Sequence, residues 1–142
     1  MYGATLVGEV QVIGSADKGC KPYPAKLTPG ASGLPIIALV DRGDCYFIEK
    51  AYAAEKAGAA AVIVADYKDE RLLTMAAPDD RPEIARLQDD ITIPTALVTM
   101  AAGAKLRKAA AGASPSKGSG VIVELDWKDA VTNPDDRVEW EL

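Results

Sequence analysis

The stretch Ile36-Ile37-Ala38-Leu39-Val40-Asp41-Arg42-Gly43-Asp44-Cys45-Tyr46-Phe47 decides how the rest of the chain is read. Five consecutive apolar residues, dominated by Ile, Leu and Val, suit a strand covered on both faces. The strand stops at a polar turn, where Gly43 permits a backbone bend that a Cβ would resist. Asp44 is expected to cap a helix that begins near Cys45. Arg42 is expected at the strand end with its guanidinium free. A loop at the carboxyl end of a buried strand is where a ligand is expected.

Working outward, residues 46–57 predict a helix with Phe47, Ala51, Ala54 and Gly58 on one narrow apolar face and Gly58 in the C′ position. Residues 59–66 read as a second buried strand. The span 36–66 then has the length of one βαβ unit with parallel strands. Upstream, residues 4–13 alternate as a strand, with Glu9 and Gln11 between apolar positions. Residues 14–33 form a long irregular loop anchored at Cys20. Downstream, residues 67–90 are charged and broken by Pro78 and Pro82, and read as a turn or short strand over 70–75 followed by an exposed acidic loop. The unit recurs as a strand at 95–98, a helix at 101–111 stopped by Gly112, a flexible connector over 114–120 and a strand at 121–125. Residues 133–136 make a turn, and 137–142 alternate like an edge strand. No linker divides the chain, so residues 1–142 are expected to form one domain with a mixed sheet and two or three helices.

Composition narrows the function. The 142 residues are 49% apolar and 6% aromatic, and 16 basic against 21 acidic residues give a net charge of −5. Nothing concentrates Lys and Arg into a phosphate-binding stripe, which argues against a nucleic-acid partner. No apolar run approaches the roughly 20 residues of a membrane span, and Met1-Tyr2-Gly3 leads into strand-like sequence without a secretory leader. Histidine is absent, which removes the commonest general base, metal ligand and pH switch. The two cysteines, without His, make a zinc site improbable. They are either paired or two reduced buried thiols. The polar surroundings of Cys20 favour the pair, and with it an oxidising compartment. Such a bridge contributes about 3.5 kcal/mol in the chain-entropy view.

Local motifs add little chemistry. Arg42-Gly43-Asp44 spells an adhesion tripeptide, too short to count when Asp44 reads as a cap. Asp79, Asp80, Glu83, Asp89 and Asp90 lack the spacing of a calcium loop, and they read as a solvated face, as do Asp126, Asp129, Asp135 and Asp136. No serine lies in a nucleophile elbow, and no glycines form a dinucleotide or phosphate-loop fingerprint. Neither a cofactor nor a catalytic residue is expected.

The segment 41–47, then Lys50, then Glu55-Lys56-Ala57-Gly58-Ala59-Ala60-Ala61-Val62-Ile63-Val64, resembles the signature of the protease-associated (PA) domain. Ile93-Pro94-Thr95-Ala96-Leu97-Val98 and the Leu106-Arg107-Lys108 helix fit its second half. Leu125-Asp126-Trp127-Lys128-Asp129-Ala130-Val131, residues 133–142, Tyr2-Gly3-Ala4-Thr5-Leu6 and Lys18-Gly19-Cys20 resemble the PA domain of plant and green-algal vacuolar sorting receptors. The resemblance implies an α/β fold of the swivelling β/β/α type, with mixed sheets in a sandwich or open barrel flanked by two to three helices. It implies a fragment of a single-pass receptor that faces a Golgi, prevacuolar or related secretory lumen. The membrane anchor would lie outside this chain. The partners implied are sorting-signal peptides of soluble vacuolar proteins. One groove wall would be Arg42, Gly43, Asp44, Cys45, Tyr46 and Phe47, a second the loop holding Met75 and Ala76, and another Tyr2 and Gly3. In a different class, a PA domain can recruit substrate for an attached protease or membrane-bound ubiquitin ligase. Two departures stand out: Asp89-Asp90-Ile91-Thr92 lacks the glycosylation sequon frequent in the receptors, and Ala76 replaces their usual acidic residue.

Overall fold

A computed structural model describes residues 5–13, 18–70, 80–112 and 120–126. Five strands form one sheet, β1 (Thr5–Val12), β2 (Ile36–Asp41), β3 (Ala61–Ala65), β4 (Thr95–Val98) and β5 (Ile122–Asp126), in the order β4-β3-β2-β1-β5. Strands β1 to β4 are mutually parallel, and β5 closes the far edge antiparallel to β1. The mixed sheet curls as a half-barrel, consistent with the PA fold. Helix α1 (Phe47–Lys56) connects β2 to β3, α2 (Pro82–Ala85) lies between β3 and β4, and α3 (Met100–Gly112) connects β4 to β5.

The continuous apolar runs make β2 and β3 the centre of the molecule. Ile36 to Val40 and Ala61 to Val64 are buried throughout. The strand period of two divides them between two cores. Ala38, Val40, Val62 and Val64 pack with Ala51, Ala54 and Ala59 beneath α1, while Ile37, Leu39, Ala61, Ile63 and Ala65 join Val10 on the other face. Leu106 of α3 lies against that second core. Its approach is close, because a Cβ on Gly103 would stand 2.5 Å from Ala65 Cβ.

The strands predicted at 4–13, 36–40, 59–66, 95–98 and 121–125 and both long helices form within two residues of the expected limits. Three expectations change. Alternation puts Glu9 at a polar position of its strand, yet the residue is 1% exposed. Residues 27–35 fold over that face, and the Ser32 hydroxyl donates to Glu9 Oε1 at 2.5 Å. The same loop is tied by Gln11 Nε2 donating to Thr28 O at 2.7 Å and Leu27 N donating to Ala57 O at 2.8 Å. The acidic loop is helical over its second half, as α2 and a 3-10 turn (Arg86–Asp90), with Ile84 buried. Pro82 sits at the first helical position, where its missing N–H costs nothing. The apolar face of α1 is also wider than the narrow stripe predicted, and it buries Ile48, Ala53 and Lys50 as well. The expected turn or strand beyond Glu70, the connector over 114–119, and the C-terminal turn and edge strand lie outside the described residues.

Candidate functional site

The parallel strands β2 and β3 end side by side, and the segments that follow them, 42–46 and 66–70, meet there. Arg42 N donates to Ala65 O at 2.9 Å, which extends the pairing by one rung. The chain then turns sharply. Gly43 has φ +121°, and Asp44 adopts the left-handed conformation at φ 69°. A Cβ on Gly43 would meet only the movable end of Lys18 at 3.0 Å, so it is the backbone conformation that calls for glycine.

Three links fix this turn. The Cys20–Cys45 disulfide joins it to the preceding loop, with Cα atoms 5.9 Å apart. Lys50 reaches back from α1, fully buried, and its Nζ donates to Lys18 O at 2.7 Å and Gly43 O at 2.8 Å. A buried Lys is stable only with such partners, so this side chain pins both loops from beneath. On the surface, Lys18 Nζ stands 3.6 Å from Asp44 Oδ1.

Arg42 does not present a free guanidinium, and this corrects the expectation drawn from the sequence. Its Nη1 donates to Asp66 Oδ1 at 3.0 Å and Glu70 Oε1 at 2.7 Å, and its guanidinium carbon lies 4.7 Å from the centroid of the Tyr67 ring. These residues directly follow β3, so the pairing of β2 with β3 delivers the partners. Burial pushes the Asp66 carboxyl up, but the Lys68 amide and the Arg42 guanidinium outweigh it and hold the group below the ordinary carboxylate range. The bonds to Asp66 and then Glu70 raise the Arg42 pKa. Both Arg42 and Asp66 are charged at neutral pH.

Asp44 is likewise not the helix cap. The N-cap is Tyr46, and Glu49 Oε2 accepts from Tyr46 N at 2.9 Å. With φ positive and its carboxylate on Lys18, Asp44 faces outward in the turn. The structure thus brings Arg42, Gly43, Asp44, Cys45 and Tyr46 onto one rim with Cys20, while Phe47 turns inward to pack against the core beneath α1. Tyr46 (36% exposed) and Tyr67 (50%) offer ring surface at this end of the molecule. Met75, Ala76, Tyr2 and Gly3 lie outside the described residues. Lys50, Asp66, Glu70 and Tyr67 belong to the site although sequence reasoning does not single them out for it. A Lys on the sheet-facing side of an otherwise alanine-rich helix, between Phe47 and Ala54, is the one signal that points to Lys50.

Among the described residues, no group of His, Cys, Asp and Glu could hold a metal ion. No helix there is long and apolar enough to cross a membrane. The rim offers backbone groups, aromatic surface and fixed charges, which suits recognition of a chain segment.

A family model described as the PA domain matches residues 4–106. Vacuolar-sorting receptor 3 of Arabidopsis thaliana is 47% identical over 146 residues, covering 99% of this chain and 22% of the receptor. Vacuolar-sorting receptor 1 of Pisum sativum is 43% identical over 141 residues, again covering 99% of this chain and 22% of the receptor. Signal peptide peptidase-like 2 of Arabidopsis thaliana is 31% identical over 103 residues, 72% of this chain and 17% of that protein. The chain therefore spans less than a quarter of each of these relatives.

Proposed function

The chain belongs to the PA-domain family, and from that premise we propose that it is a non-catalytic peptide-binding domain of a vacuolar sorting receptor. The observation that carries the reading is a match to such receptors along 99% of the chain. The rim at 42–46, braced from three sides, supports it. The ligands are the sorting-signal peptides of soluble vacuolar proteins, met in a secretory or prevacuolar lumen. A disulfide suits that compartment.

Within this reading the main chain of Gly43 and Asp44 lies along the peptide, and Tyr46 supplies apolar contact. Arg42 acts chiefly by fixing the turn against Asp66 and Glu70. Phe47 supports the rim from the core side. Met75 and Ala76, with Tyr2 and Gly3, complete the groove. Calorimetric titration of sorting-signal peptides into the parent and Arg42→Ala tests the assignment. The variant is expected to bind about ten- to a hundredfold more weakly, because the turn loses the charge-assisted bonds to Asp66 and Glu70 that hold it in place. Failure of every peptide to bind the parent overturns the reading, and equal affinity in the variant removes Arg42 from it. The match to a signal peptide peptidase-like protein supports a second reading, substrate recruitment for an attached protease. The sequence flanking this chain in the full-length protein separates the two.

A further inference from the structure

The Lys50 ammonium braces two carbonyls, and it also lies 3.7 Å from Cys20 Sγ. The two sulfurs of the bridge are therefore not equivalent. The groups facing Cys20 Sγ are Lys50 Nζ from α1 and, from the turn, Gly43 O, also at 3.7 Å. Of the other charges at this end, Lys18 and Asp44 stand 3.6 Å from each other and offset one another, and Arg42 is paired with Asp66 and Glu70. The carbonyl favours a protonated sulfur and the ammonium a thiolate. Beside a fully buried ammonium, the full charge outweighs the dipole. Cys45 lies between Asp44 and Tyr46, both exposed, and is itself half-buried, as Cys20 is, so it is the charge beside Cys20 that sets the two sulfurs apart.

We propose that Lys50 gives the Cys20–Cys45 disulfide a direction, so that thiols attack Cys45 and expel Cys20 as a thiolate held by the buried ammonium. The incoming thiolate forms a bond to Cys45 Sγ, the Cys20–Cys45 bond breaks, and its electron pair leaves on Cys20 Sγ. A second thiol releases Cys45 and carries away the first as the oxidised disulfide. Reduction by a luminal thiol or dithiol then removes the one covalent link on the rim at 42–46, leaving it on Lys50 through Gly43 O as the loop holding Cys20 stays on Lys50 through Lys18 O. The bridge is a redox-sensitive fastening of the rim with a built-in order of opening.

The experiment needs no peptide ligand. The oxidised protein is exposed briefly to reduced glutathione, quenched in acid and digested, and the mixed disulfide is mapped by mass spectrometry. Cationic neighbours lower thiol pKa values by one to several units. The better-stabilised thiolate leaves faster, so an excess at Cys45 of about tenfold is expected. In Lys50→Met the excess is expected to collapse toward equal labelling. The parent in urea supplies the same comparison should that variant fail to fold, because unfolding separates Lys50 from Cys20. Equal labelling of the folded parent, an excess at Cys20, or an excess at Cys45 that survives in folded Lys50→Met or in urea would each overturn the proposal.

Discussion

Asp66 is kept in its charged form at a position where burial works against it. Its folded pKa lies below the unfolded value. The stability it gives is therefore present above about pH 4 and is lost only as the pH falls through the lower folded value. Carbon-13 NMR of the carboxyl should place its midpoint below the ordinary 3.8, and a midpoint above that would mean the Arg42 and Lys68 bonds do not govern it. The link between β2 and the segment after β3 should thus remain intact down to about pH 5. Lys50 makes the complementary case. Its replacement by Met leaves Lys18 O and Gly43 O without their ammonium donor in a buried site, at about 1–3 kcal/mol each. Urea unfolding should show a loss of about 2–6 kcal/mol with an unchanged slope, and a variant as stable as the parent would show that water replaces the ammonium.

At the scale of elements, the packing of α3 on the sheet rests on the missing side chain of Gly103. An added Cβ would meet Ala65 Cβ at 2.5 Å, and Ala65 is too short and too buried to yield. The clash, about 1–3 kcal/mol, exceeds the roughly 1 kcal/mol that Ala gains over Gly in a helix. Gly103→Ala should therefore lower the melting temperature by several degrees. Gly112, where an added Cβ meets nothing within 4 Å, should tolerate Ala without loss, and equal effects at both positions would refute the packing argument. The major elements are legible in the sequence because their signals are local. Unbroken apolar runs mark β2 and β3, and alternation marks β1. Helix α2 escapes such reading because Pro82 serves equally as a breaker and as a helix start. Only the burial of Ile84 in the tertiary structure decides between them.

For the molecule as a whole, the rim at 42–46 is legible as a place, while its bracing is not. Strand ends and the Gly43 turn announce themselves in sequence. The meeting of Arg42 with Asp66 and Glu70 depends on the register of β2 against β3, and the meeting of Lys50 with two carbonyls depends on how α1 lies across the sheet. Neither is a periodic property of one segment. The same global view bears on how a bound peptide would be released. With no His in the chain, no side chain of ordinary pKa changes charge between pH 7 and 5. The described carboxylates with a directional shift all move down: Asp66 as above, Glu55 where the Thr92 hydroxyl and amide outweigh burial, and Glu83 beside Arg81. Each is therefore ionised throughout that range. Peptide affinity of this domain, measured by calorimetry at both pH values and constant ionic strength, should change by less than about threefold, well under the 1.4 kcal/mol of a tenfold change. A loss of tenfold or more at pH 5 would require a carboxylate whose pKa rises on binding. If the proposed peptide binding is reversed by acid in the full-length protein, a flat profile here places the sensing outside this chain.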